Sequence, residues 1–158
     1  MKLYREKDLA YIAGFLDGEG SITIGKAGPP NSHSARISIG NNNLAVLEWI
    51  QTILRCGSIR TAKRKYGLCY SILFTKKEGE IILPLLLPYL HIKKKNAEII
   101  LKYWQETRKW TRDPERKINL EKFRFDIQYL NRRCVYNETR LLPEEEFQLL
   151  KQDIVHHD

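Results

Sequence analysis

The sequence predicts an α+β fold: helices packed on one face of a four-stranded antiparallel sheet, in the order helix, hairpin, helix, hairpin, helix, followed by helices alone. Three observations predict it. Residues 21–26 and 34–40 alternate apolar and polar side chains on either side of the turn Gly28-Pro29-Pro30-Asn31, the pattern of a hairpin with one buried face. Residues 58–64 and 68–74 repeat that pattern. Before, between and after these hairpins, apolar residues recur at helical spacing.

The first helix spans about Lys7 to Asp17, with Asp8 as N-cap and Leu9, Ile12 and Leu16 on one stripe. Gly18-Glu19-Gly20 should stop it. In the first hairpin Ile22, Ile24, Ala35, Ile37 and Ile39 form the apolar side. Asn42 or Asn43 caps a second helix to about Arg55, with Leu44, Leu47, Ile50 and Leu54 on one stripe. In the second hairpin Ile59 opposes Ser58, Arg60 and Arg64, while Leu68, Tyr70, Ile72 and Phe74 oppose Cys69 and Ser71. Thr75-Lys76-Lys77-Glu78 has the form of a capping box and opens a helical stretch to about Leu90. Another helix covers roughly 96–109, broken by Arg112-Asp113-Pro114. Two more cover 120–132 and, with Pro143 in its first turn, 144–154. Gly20-Ser21-Ile22 and Gly57-Ser58-Ile59 echo each other at the hairpin starts, a hint of a repeated helix–hairpin unit. Residues 1–110 form the core, and 111–158 a helical extension of the same domain.

At 158 residues the chain is long enough for one ordinary domain and too short for two. A formal charge of +8 favours a polyanionic partner, nucleic acid or an anionic surface. No apolar run nears the roughly 20 residues of a membrane span, so no membrane partner is expected. The longest, Ile81 to Leu90, is broken by Pro84 and Pro88. Cys56, Cys69 and Cys134 are odd in number and far apart, which argues against a disulfide framework or a zinc ribbon. The N-terminal residues lack the apolar stretch of a signal peptide and carry acids that a transit peptide avoids. His33, His91, His156 and His157 are too scattered for a histidine-centred nuclease site. Glu115-Arg116-Lys117 has only Asp113 as a nearby upstream acid, too close for E-x-K chemistry.

On a helical wheel Ala10, Ala13, Gly14 and Asp17 share a bare face beside the core stripe of the first helix. Gly inside a helix costs about 1 kcal/mol relative to Ala. Gly14 therefore marks either a crowded core position or a close approach by another backbone. Residues 12–20, Ile-Ala-Gly-Phe-Leu-Asp-Gly-Glu-Gly, continue into Ser21-Ile22. They resemble the nine-residue signature of the LAGLIDADG homing endonuclease family, through Ile12, Ala13, Gly14, Asp17, Glu19 and Gly20. Gly18 and Glu19 are common variants at the seventh and eighth positions. The order of elements over about 110 residues, and the Lys-bearing stretch Leu90 to Ala97, also resemble the family's core.

The resemblance implies a saddle-shaped sheet in each subunit and a site-specific endonuclease. Its product would be a double-strand break with short 3′ overhangs in a long pseudo-palindromic DNA target, promoting intron homing. A single motif is present, and single-motif members work as homodimers, so Ala10, Ala13, Gly14 and Asp17 are expected at the interface. Two bare faces let helix axes approach closer than the usual distance of about 8–10 Å. The two Glu19 carboxylates then meet near the twofold axis, where their repulsion calls for cations. Glu19, with the backbone carbonyl of Gly18, is the expected Mg²⁺ site. Mn²⁺ is expected to substitute, and Ca²⁺ to bind without supporting cleavage. Bound metal lowers the pKa of a water and stabilises the charged transition state. Lys93 matches the family's basic active-site residue, which neutralises charge at the scissile phosphate or tunes the attacking water. Asn41 stands where many relatives carry Gln. It either orients a water or belongs to the Asn41-Asn42-Asn43 run that caps the next helix.

The polar side of the sheet is the expected surface for double-stranded DNA, since an antiparallel ribbon fits the major groove. It carries Ser21, Thr23, Ser34, Arg36, Ser38, Arg60, Arg64, Cys69 and Ser71. The three arginines are the expected contacts to guanine or phosphate, with Lys26, Lys63, Lys65 and Arg132 as further phosphate contacts. Two other functions fit this scaffold, an RNA maturase and a DNA-binding regulator that no longer cuts; Glu19 and Lys93 favour the nuclease. Without an import signal, the chain is expected to act where it is made, in an organelle (a chloroplast rather than a mitochondrion) or in a bacterial cytoplasm.

Overall fold

A computed structural model describes residues 4–26, 33–65, 67–108 and 114–133, with isolated positions 145 and 148. The elements are α1 (Glu6–Glu19), β1 (Gly20–Lys26), β2 (His33–Asn41), α2 (Leu44–Leu54), β3 (Ser58–Arg64), β4 (Gly67–Phe74), α3 (Lys76–Leu86), a 3₁₀ turn (Leu87–Tyr89), α4 (Lys94–Arg108) and α5 (Pro114–Arg133). The predicted α+β order is what forms. The helix expected over 144–154 falls outside the described residues.

Several boundaries differ from the sequence reading for physical reasons. Asp8 does not cap α1. The N-cap is Arg5, which makes no side-chain cap bond, and Asp8 accepts the Arg5 guanidinium at 2.7 Å from within the first turn. The helix runs through Gly18 and ends at Glu19, because the Gly20 N–H still bonds the Leu16 carbonyl before the chain extends. A Cβ at Gly20 would lie 2.9 Å from Leu16 Cα, so this tight exit needs glycine. Pro84 sits inside α3, and the helix tightens to 3₁₀ after Leu86 rather than running to Leu90. Pro114, expected to break the helix before it, lies past the end of α4 at Arg108. It is the first residue of α5, where its missing N–H is no loss, so that helix begins earlier than expected.

The sheet order is β1-β2-β4-β3, all antiparallel. Ile22, Ile24, Ile37, Ile39, Ile72 and Phe74 point inward and meet Leu9, Ile12, Leu16, Leu47, Ile50, Ile82, Leu83 and Ile100 from the helices. The free edge of β1 is covered by α5, where the Asn131 amide donates to the Ile22 carbonyl at 3.1 Å and accepts from buried Asn96 at 2.9 Å. No helix among the described residues is long and apolar enough to cross a membrane.

The capping box at Thr75 reaches further than its motif. Glu78 accepts the Thr75 N–H at 2.6 Å and the Gly57 N–H at 3.0 Å, tying α3 to the turn before β3, where Gly57 adopts φ 95°. The Gly57 N–H, and after it the Thr75 N–H, hold the Glu78 carboxyl below its usual pKa. A depressed folded pKa adds stability above the ordinary carboxylate range, and that stability is lost as pH falls through the folded value. Glu78→Ala is expected to cost about 1–2 kcal/mol at neutral pH, the scale of a lost charge-assisted bond and cap. Thermal unfolding of both proteins across pH 7 to 3 (roughly the window in which a carboxylate titrates) checks this, and the difference should shrink toward the acid end.

Candidate active site and nucleic-acid interface

The C-terminal end of α1 meets the turn that precedes α4. Asp17 is buried, and its carboxylate accepts three backbone N–H groups: His91 at 2.7 Å and Ile92 at 3.1 Å on one oxygen, and Lys93 at 2.8 Å on the other. The Lys93 ammonium donates back to the Asp17 carbonyl. A cation there also answers the negative end of the helix dipole. Two residues on, Glu19 closes α1 as an exposed carboxylate. The structure thus brings Glu19 and Lys93, more than 70 residues apart in sequence, to one end of one helix.

This end fits a divalent cation. The two acids of the last helical turn divide the work. Asp17 is fully engaged with N–H donors, and Glu19 is exposed to solvent. Gly18 is exposed, and a Cβ there would meet nothing within 4 Å, so its backbone is open to approach. The last carbonyls of a helix carry partial negative charge and favour a cation beside a hard carboxylate. No group of three or more His, Cys, Asp or Glu with metal-binding geometry occurs among the described residues.

Asn41 lies at the same end of the sheet, two residues past the pairing of Ile39 with Gly20. Its side-chain oxygen accepts the Asn43 N–H at 2.8 Å, and Asn43 caps α2 through the Ala45 N–H at 3.0 Å. The capping role is the one the structure contains, and it ties Asn41 to the start of α2.

Cross-strand register assigns the sheet faces. On the face away from the helices, Ser21 pairs with Ser38, Thr23 with Arg36 and Gly25 with Ser34. Ser38 continues through Leu73 to Ser58, so one row crosses all four strands. Arg60 pairs with Ser71, Ala62 with Cys69 and Arg64 with Gly67 on that face. All nine residues expected on the polar side, Ser21, Thr23, Ser34, Arg36, Ser38, Arg60, Arg64, Cys69 and Ser71, are there. Lys63 pairs with Leu68 and shares the face of Ile59 and Tyr70, one residue out of phase with Arg60 and Arg64. Lys26 pairs with His33, in phase with Ile22 and Ile24, and its side chain falls outside the described ones. Ser58, set opposite Ile59 by its alternation, is on the polar face too, and Leu73 joins it, located by strict alternation from Ser71. Arg36, Arg60 and Arg64 are exposed and form no ion pair with any described residue. Lys65 and Arg132 are exposed outside the strands.

The bare face of α1 is rotated from the one expected. Ala13 is 0% and Asp17 8% exposed within the single chain, so neither lies on an open surface. α1 packs on the sheet, on α3 and on the 3₁₀ turn, and its buried sector is wider than one apolar stripe. Ala10, Tyr11, Gly14 and Gly18 are exposed instead, at i, i+1, i+4 and i+8. A Cβ at Gly14 would meet nothing within 4 Å. Beside this stripe, Tyr11 stacks on Phe15 at 6.1 Å and meets Trp49 edge-on at 5.3 Å. Lys7, Asp8, Tyr11, Val46 and Trp49 line a cavity of about 460 Å³.

Known proteins share this fold. The chain is similar to I-CvuI bound to its target in the presence of Ca, with 23% identity, TM-score 0.66, and 93% of this chain and 94% of that one covered. It is similar to I-CvuI bound to the I-CreI target, whose DNA is not cleaved in the presence of Mg, with 22% identity, TM-score 0.66, and 96% and 99% covered. The archaeal intron-encoded homing endonuclease I-Vdi141I in complex with DNA matches at 18% identity and TM-score 0.62, over 93% and 96%. No curated protein sequence matches the chain. At these identities the structural matches speak for the fold alone. The sequence itself decides the family: the model for LAGLIDADG endonucleases matches residues 12–108, the span from the glycine-bearing stripe of α1 to the last turn of α4, and the chain belongs to that family.

Proposed function

We propose that the chain is a homodimeric, metal-dependent DNA endonuclease that makes a double-strand break in a long pseudo-palindromic target and serves intron homing. The observation that carries this reading is the exposed Glu19 carboxylate with the Lys93 ammonium held at the same helix end. A regulator that only binds DNA has no need of that pairing. I-CvuI has been seen on DNA with Ca and with Mg, and I-Vdi141I is intron-encoded, which supports divalent-metal use and the homing role.

When bound, Mg²⁺ lowers the pKa of a water and offsets charge on the phosphate. Glu19 and the Gly18 carbonyl would hold that ion; Mn²⁺ would substitute, and Ca²⁺ would bind without supporting cleavage. Lys93 places positive charge where the scissile phosphate gains negative charge. Arg36, Arg60 and Arg64, with the hydroxyls of Ser21, Thr23, Ser38 and Ser71, face base edges and phosphates of double-stranded DNA. The exposed stripe Ala10, Gly14, Gly18 supports dimerisation. Gly14 lowers helix stability and has no neighbour among the described residues that requires it. A second copy pressed against the stripe gives it a reason and brings both Glu19 residues over one duplex.

The test is a plasmid library carrying randomised inserts, incubated with purified protein and Mg²⁺, with linear molecules sequenced. Recovery of one pseudo-palindromic site is the expected result; no linear product overturns the nuclease reading. Binding to the recovered site should fall steeply with salt, as it does for about 6–10 phosphate contacts. Filter binding from 50 to 200 mM salt (a range over which such contacts lose about 10³–10⁵ in affinity) measures it. A flat profile counts against the sheet face as the DNA surface.

A further inference from the structure

The structure assigns Asp17 as a positioning residue: its carboxylate gathers the 91–93 turn and so delivers Lys93 to the Glu19 end of α1. This rests on the endonuclease reading for its catalytic meaning, though not for its geometry. Asp17 is buried within the single chain, and both its carboxylate oxygens accept backbone N–H groups, from His91, Ile92 and Lys93. Those three donors lie just ahead of α4, where a helix start leaves N–H groups without intrahelical acceptors. One carboxylate on a different helix supplies the missing acceptor, so α1 and α4 are joined at this point. The join fixes the Lys93 backbone, and the Lys93 ammonium then returns to the Asp17 carbonyl. Both ends of the lysine are therefore held by one residue. Its neighbour Lys94 is exposed, with no such bond. The run Lys93-Lys94-Lys95 thus holds three different lysines. Lys95 pairs with Glu98 at 3.5 Å within its own helix, Lys94 is solvated, and Lys93 is tied to α1.

Asp17→Asn keeps the size of the side chain and replaces one acceptor oxygen with a donor. Amine labelling with acetic anhydride, read by mass spectrometry on the free protein, should show Lys93 slower than Lys94 in the wild type and equal to it in Asp17→Asn. Amide hydrogen exchange in the wild type gives a second reading that needs no variant. The His91, Ile92 and Lys93 amides should be protected, and free exchange at them overturns the assignment. On a cleavable insert recovered from the randomised library, Asp17→Asn should lower single-turnover cleavage about 100-fold, the usual effect of displacing a catalytic group by an ångström. KM should hold, and Asp17→Asn with Lys93→Met should be no worse than Lys93→Met alone. Additive losses, or unchanged Lys93 labelling in a folded Asp17→Asn, overturn the proposal. If the wild type cuts no DNA, the endonuclease reading fails while labelling and exchange still decide the geometry.

Discussion

Glu19→Gln is expected to abolish DNA cleavage, by about 10³-fold or more, and to leave DNA binding within a few-fold of wild type. The change removes the exposed carboxylate at the end of α1 and little else. Glu19 is solvent-facing, so its loss opens no cavity and strands no buried donor. A neutral amide is a poor partner for a hard dication, and the lost charge stabilisation falls on the transition state rather than on the bound ground state. The effect should therefore appear in single-turnover rate at saturating protein, with an unchanged gel-shift midpoint. Binding lost in parallel with cleavage would mean that Glu19 shapes the DNA surface instead. Cleavage retained at wild-type rate would remove it from the chemistry.

Gly14→Leu is expected to break the dimer while strengthening the single subunit. Nothing lies within 4 Å of a Cβ at that position in one chain, so a side chain has room there. Exchanging a mid-helix Gly for Leu recovers about 0.8–1 kcal/mol of helix propensity. Against a second copy the same side chain pushes the axes apart from the close approach that Ala10, Gly14 and Gly18 allow. Analytical ultracentrifugation should show wild-type dimer and variant monomer, with cleavage lost as the two Glu19 residues no longer meet. A variant that stays dimeric and active, or a wild type that is monomeric on DNA, removes the stripe from the interface. A variant that unfolds contradicts the open space seen at Gly14.

Most of the fold was legible because its signals are local. Alternation at Ile22–Ile24, Ile37–Ile39 and Ile72–Phe74 encodes two hairpins, and Thr75 to Glu78 encodes a helix start. The errors fall where tertiary contacts decide. Asp8 and Asn41 are both plausible caps. Neither is the N-cap: Arg5 takes Asp8 inside the first turn of α1, and Asn43 caps α2 while Asn41 accepts the Asn43 N–H. The helix wheel placed Ala13 and Asp17 on an open face. It could not show that α3 and the turn after it cover that flank. The short resemblances over residues 12–20 and 90–97 pointed to Glu19 and Lys93. The link between them runs through a buried acid and three backbone donors, and no pattern in a linear sequence displays that.

The flanks of the sheet have unequal fates. β1 has its outer carbonyl at Ile22 occupied by Asn131 and is shut off by α5. β3 is left as the open margin, and six of its seven residues are exposed, with Arg60, Lys63 and Arg64 among them. Such a margin can template the addition of a stray strand unless repulsion prevents it. Crowding cations along this one rim makes like molecules repel there and keeps them from growing edge to edge into ribbons, so neutralising those three positions should increase aggregation before it disturbs the fold.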